Sequence, residues 1–114
     1  MKIDQRRVGE VQILDLHGRM ALGDGDTELV STVKGLLAEG CKKIVLNLTD
    51  VPYLDSAGLG HTIQCRGMSV EKEAAIALVM PGATRIPLIV QVCLRLAYPD
   101  VLEDELSAVE SLGR

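Results

Sequence analysis

The residues best placed to do chemistry lie together in Asp55-Ser56-Ala57-Gly58-Leu59-Gly60. This string follows a β-rich run, Val45-Leu46-Asn47-Leu48, and a connector broken by Pro52, and it opens a segment read as helical. Ser56 is therefore expected at a helix N-terminus, where backbone N–H groups lack intrahelical acceptors and about half a positive charge collects. A phosphate ester there is stabilised by the helix itself. It adds roughly −1.5 to −2 charges beside Asp55 while the fold survives. The same two residues also read as an ordinary cap pair, since Asp and Ser are preferred at N-caps. Gly58 and Gly60 fit a plain cap less well, because each lowers helix propensity by about 1 kcal/mol relative to Ala. Their presence predicts that a neighbouring strand or a partner approaches that backbone closely.

Other constellations carry less. A hydrolase nucleophile elbow needs glycine two residues before the serine, and Leu54 stands there. Only His17 and His61 could act as base, and no third group is evident. Asp24 and Asp26 flank Gly25 but lack the remaining ligands of a calcium loop, so they read as a turn and a helix cap. Gly23 and Gly25 do not make a phosphate-binding fingerprint. The three cysteines, Cys41, Cys65 and Cys93, are widely spaced and include no CxxC pair. They read as reduced thiols rather than a zinc or redox site. No catalytic residue, metal or cofactor is expected.

These residues must be positioned by a small framework. The chain has 114 residues, enough for one domain over 1–114, with 47% hydrophobic and 25% charged residues, a globular composition. It contains no Phe or Trp, and Tyr53 and Tyr98 are the only aromatics, so the core must be aliphatic. A formal net charge of −4 and few aromatics make it a poor nucleic-acid binder, lacking both cations and stacking platforms. Arg6-Arg7 and Lys42-Lys43 read as solvated flanks of strands. Met1 to Arg6 holds no apolar signal region. The longest apolar stretch, Ile86 to Leu96, is interrupted by Pro87, Gln91 and Arg95 and is too short to span a bilayer. A cytoplasmic protein without membrane insertion, monomeric or weakly dimeric, is the expectation.

Patterning predicts strands over Ile3–Val8 and Val11–His17 joined at Gly9-Glu10, with Val11, Ile13 and Asp15 on one face and Leu14 and Leu16 on the other. Leu29, Val30, Val33, Leu36 and Leu37 recur at helical spacing, capped by Asp26 and stopped at Gly40. The β-rich run of Lys43–Leu48, with little alternation, predicts a strand buried on both faces. The helix opened by Ser56 is expected to bury Leu59, Ile63, Gly67 and Val70. A strand follows over Ala75–Met80. A third helix is expected to be capped by Thr84 and to bury Leu88, Ile89, Val92, Cys93 and Leu96, with a strand as the alternative. An edge strand at Val101–Glu103 and a helix capped by Asp104, carrying Leu106, Val109 and Leu112, complete the chain. The order β-β-α-β-α-β-α-β-α predicts an α/β fold, a mixed and mostly parallel sheet of about five strands with four helices.

The Val45-Leu46-Asn47-Leu48 strand followed by Asp55-Ser56-Ala57-Gly58-Leu59-Gly60 resembles the STAS domain family, named after sulfate transporters and anti-sigma factor antagonists. Leu14-Asp15-Leu16-His17-Gly18-Arg19 is similar to the family's second-strand motif, and the element order matches from about Val8 to Leu112. Asn47 stands where many members carry aspartate, and Ala74-Ala75 replaces a usual Gly-Gly. The resemblance implies a single STAS-like domain with a peripheral hairpin strand. It further implies an anti-sigma factor antagonist, not an enzyme. In that branch the serine matched by Ser56 is phosphorylated by an anti-sigma factor that is itself a serine kinase. The unphosphorylated form docks to the kinase, and a serine phosphatase restores it. The implied switch surface comprises Ser56 with Asp24, Asp55, Gly58, Thr62 and Arg66. The same fold also serves as a constitutive scaffold in stress-sensing or transporter-associated complexes, in which case Ser56 is only part of a cap.

Overall fold

A computed structural model describes residues 1–20 and 26–113 of the chain. Among them the elements run β1 (Lys2–Val8), β2 (Val11–His17), α1 (Asp26–Ala38), β3 (Lys43–Asp50), α2 (Ser56–Glu71), β4 (Ala75–Val79), α3 (Leu88–Ala97), β5 (Val101–Leu102) and α4 (Glu105–Leu112). The α/β order and the mixed, mostly parallel sheet are those the patterning predicts. No helix among the described residues is long and apolar enough to cross a membrane.

The sheet order is β1-β2-β3-β4-β5. β1 pairs antiparallel with β2 across the turn at Gly9, whose φ of +60° is a left-handed conformation. All later pairs are parallel, each joined by one helix. Because the strand order never reverses, crossovers of one hand deliver α1, α2 and α3 to the same face. There Leu14, Leu16, Ile44, Leu46, Leu48, Ile76 and Leu78 meet Leu29, Val33 and Leu37 of α1, Cys65 of α2 and Leu94 of α3. The opposite face, formed by Val11, Ile13, Val45, Ala77 and Val79, is covered by Ala108 and Leu112 of α4. β3 lies at the centre, and Ile44, Val45, Leu46 and Leu48 bury it on both faces, as its weak alternation predicts.

Several local expectations change. Arg6 is not merely solvated: it reaches across the α4 face to Asp15 at 2.6 Å and to Glu105 at the start of α4. Its guanidinium holds the Asp15 carboxyl below the usual carboxylate range. Asp26 is the first residue of α1 rather than the residue before it. α3 begins at Leu88, with Pro87 at the N-cap. Thr84 instead accepts from the Ile86 amide in a local turn, because the fixed φ of Pro87 suits entry to the helix but its ring lacks the N–H that an upstream start would use. The buried residue of α3 is Leu94, while Leu88, Ile89, Val92 and Leu96 face outward. Two overlapping stripes exist in this apolar sequence, and the anchors at its ends, buried Ile86 and Tyr98, select the smaller one. In α4 the buried pair is Ala108 and Leu112, with Leu106 exposed, because α4 lies close on Ala77, where a small residue fits. Its N-cap Asp104 accepts from Ser107 N at 2.8 Å, as predicted.

Candidate functional site

Beyond the ends of β2 and β3 the two chains remain paired. Gly18 N donates to Asp50 O at 3.0 Å, Met20 N to Tyr53 O at 3.0 Å, and Asp55 N to Met20 O at 3.2 Å. Met20 and Leu54 form an isolated parallel bridge, and both are buried. Gly18 adopts φ +95°, a conformation that favours glycine, and this bend lets β2 continue along the connector. The Arg19 guanidinium lies 4.7 Å from the Tyr53 ring centroid, a cation–π contact that covers the exposed side of the same segment. The connector broken by Pro52 is thus an extension of the sheet, and it delivers α2 in a fixed position.

Asp55 is the N-cap of α2. Its backbone is extended, with φ −91° and ψ −173°, and its carboxylate accepts from Gly58 N at 3.0 Å. Leu59 N donates to Asp55 O at 2.8 Å. Ser56 is therefore not the cap. It is the first residue of the helix, and it is exposed. The Ser56 and Ala57 amides have no intrahelical acceptor by position, so their partial positive charge lies next to the Ser56 hydroxyl.

Gly58 accounts for the close approach inferred from the sequence. A Cβ there would collide with the Met20 carbonyl oxygen, the same oxygen that accepts from Asp55 N, and would lie 3.0 Å from Met20 Cγ. Gly60 faces open space. Only the first of the two glycines is required by packing, and the neighbour it admits is the β2 extension.

That contact sets the rotation of α2 and overturns its predicted stripe. The buried residues are Gly58, Thr62, Cys65 and Ser69, while Ile63 and Val70 are exposed. A helix pressed against backbone must bury its small residues. The hydroxyls that come with them are satisfied within the helix: Thr62 Oγ1 donates to Gly58 O at 2.8 Å and Ser69 Oγ to Cys65 O at 2.9 Å. Burial pushes the Cys65 thiol up to about 12, so it is inert packing. Tyr98, just beyond α3, donates from its hydroxyl to Thr62 O at 2.5 Å. Burial raises its pKa well above the ordinary range.

The expected switch surface is therefore smaller than the resemblance implies. Asp55 and Ser56 lie together at the helix start, and Arg66 is half-buried further along α2. Thr62 is 0% exposed and Gly58 is buried, so neither forms part of an accessible surface; both fix the helix in place. Asp24 lies outside the described residues. Met20 and Tyr53 were not read from the sequence as positioning the site, and Arg19 appeared only as the end of the second-strand motif. The available signal was the small-residue series Gly58, Thr62, Cys65, Ser69, at spacings that place all four on one helix face.

No protein-family model and no curated protein matches the chain. Solved structures do. A candidate anti-sigma factor antagonist from Thermotoga maritima superposes with a TM-score of 0.79 at 21% identity, covering 98% of this chain and 95% of that one. The anti-sigma factor antagonist SpoIIAA in its unphosphorylated form gives a TM-score of 0.73 at 14% identity, covering 96% of each chain. The crystal structure of a protein called Mglu gives 0.62 at 21% identity over 71% of this chain, which spans only 20% of that longer protein. The fold is that of the anti-sigma factor antagonists, the STAS fold, over nearly the whole chain.

Proposed function

We propose that this chain acts as a single STAS domain over 1–114, an anti-sigma factor antagonist that works by docking rather than by catalysis. Its partner in this reading is an anti-sigma factor that is a serine kinase, met in the cytoplasm. Ser56 is the phosphate acceptor, and a serine phosphatase reverses the modification. The observation that supports this most is the exposed Ser56 hydroxyl at the first residue of a 16-residue helix whose start is held rigidly by Met20 and Gly58.

The physical logic runs through charge. A phosphate on Ser56 adds roughly −1.5 to −2 charges where the Ser56 and Ala57 amides point and where the helix dipole favours an anion. The neighbouring Asp55 carboxylate is already committed to Gly58 N, so the new charge is carried at the surface and not drawn into the cap. The residues that fix α2, Gly58 and Thr62, are buried away from the surface that receives the charge. A surface that meets a partner's acidic or apolar groups then becomes repulsive with the fold unchanged. Structural likeness to SpoIIAA, described in an unphosphorylated form, supports the same reading.

The test uses the intact chain with a cognate anti-sigma factor kinase and ATP. Phosphate is expected on the Ser56 peptide by mass spectrometry, and Ser56→Glu is expected to weaken kinase binding by roughly tenfold or more. If Ser56→Ala is labelled as strongly as wild type, the acceptor assignment fails. If Ser56→Glu binds unchanged, the switch fails.

A further inference from the structure

We propose that α3 is a self-association face, through which two copies of this chain pair antiparallel about a two-fold axis passing beside Val92. The proposal is independent of the phosphorylation switch. It starts from an inversion: α3 turns more apolar surface outward than inward. Leu88 is 74% exposed, Ile89 70%, Val92 44% and Leu96 83%, while Leu94 is the one fully buried residue of the helix. Residues four apart on a helix are neighbours, so these side chains form one continuous ridge.

The ridge matches itself. Leu88 and Leu96 lie four residues either side of Val92, so a two-fold axis at Val92 sets Leu88 of one copy against Leu96 of the second and Val92 against Val92. This is the isologous geometry of a symmetric dimer, and rows of residues four apart interdigitate in the commonest class of helix packing. The charges also permit it. Arg95 is the only charged residue in α3. An antiparallel pair sets the two Arg95 positions about 9 Å apart along the axis, each beside Ile89 of the other copy, where its aliphatic stem can lie. The area is sufficient as well. The four side chains expose on the order of 500 Å², the apolar share of one side of a standard interface, at the upper end of what a lone monomer shows.

A second copy also fits the electrostatics better than an anionic surface does. The chain carries a net charge of −4, so it is repelled by acidic membranes. Two such chains repel each other as well, but their apolar contact is insensitive to salt. Dimerisation through α3 is therefore expected to strengthen as salt screens that repulsion.

Sedimentation equilibrium of the full chain measures this directly. A concentration-dependent dimer is expected, tighter at high salt, and Val92→Glu is expected to abolish it by setting two carboxylates on the axis, with an unchanged circular dichroism spectrum. Leu96→Glu, at the most exposed position, serves if the Val92 variant is poorly folded. Crosslinking gives the geometry: in a background carrying Cys41→Ser and Cys93→Ser, Val92→Cys is expected to form an intermolecular disulfide much faster than the exposed control Glu110→Cys. A chain monomeric at millimolar concentration, a dimer that survives Leu96→Glu, or a Val92→Cys variant that crosslinks no faster than the control would each overturn the proposal. So would a monomer that co-floats with phosphatidylglycerol vesicles, which would assign the ridge to a lipid surface.

Discussion

Helices α2 and α3 pack on the same face of the sheet but bury opposite kinds of residue. α2 buries a glycine, a threonine, a cysteine and a serine and leaves Ile63 and Val70 outside. α3 buries Leu94 and leaves four large aliphatic residues in solvent. The difference is one of distance to backbone. α2 starts against the Met20 carbonyl, so no side chain fits at Gly58, and the face that Gly58 turns inward carries only Thr62, Cys65 and Ser69 below it. α3 is held by Ile86 before it, Leu94 within it and Tyr98 after it, so its other large aliphatic residues are not needed to fill the core. Position on a helical wheel says which residues share a face, whereas the neighbour at closest approach decides which face turns inward.

The contrast is broken most severely at Gly58. Gly58→Ala places a methyl group against backbone that cannot move without losing the Asp55–Met20 hydrogen bond, so a loss of about 3 kcal/mol or failure to fold is expected by urea denaturation. A loss below about 0.5 kcal/mol would show that the helix start can slide, and the account of α2 rotation would fall. Next in size, Ser69→Leu should cost about 2 kcal/mol through overpacking, although it adds a hydrophobic residue. Leu88→Ser on α3 removes one and should shift stability by less than about 0.5 kcal/mol in dilute monomer. Equal effects from the two would erase the comparison. Tyr98→Phe removes the bond that ties α3 to Thr62 O and should cost about 1 kcal/mol, read from the urea midpoint at constant slope.

The smallest expected effect lies at His17, where the extension that positions α2 begins. Its ring contacts Asp50 at 2.7 Å and Asp4 at 3.1 Å, and the hydrogen bond to Asp50 raises its pKa above the ordinary value of about 6.5. A raised value means that the pair's contribution is complete below the unfolded-state pKa and is lost as pH rises through the folded one. An NMR titration of His17 should therefore give a midpoint above about 6.5, and Asp50→Asn should lower it. An unchanged midpoint in that variant would remove Asp50 as the cause. Both partners are exposed, so the accompanying change in stability is small and sensitive to salt.

Strands, helix order and the doubly buried β3 were legible because each depends on local periodicity and on turn residues such as Gly9 and Gly40. Ser56 was legible for the same reason: Asp55-Ser56 after a broken connector marks a helix start in any fold. Thr62 was placed on the surface because the expected buried stripe of Leu59, Ile63, Gly67 and Val70 left it on the outer side of the helix. Nothing local says that its donor is already taken by Gly58 O. The outward ridge of α3 was misread as core because an apolar stripe is core unless something else fills the space, and here Leu94, Ile86 and Tyr98 fill it.

By its own chemistry, then, the chain specified where backbone turns, which segments pair and where an anion-favouring helix end would be, since these follow from dihedral preference and from hydrogen bonds made within a few residues. The tertiary structure alone decided which side of α2 and α3 meets the core, because that depends on Met20, thirty-eight residues before Gly58, and on Tyr98, thirty-six after Thr62. Close packing is a property of surfaces brought together from distant parts of the chain, and no window of local sequence contains both sides of such a contact.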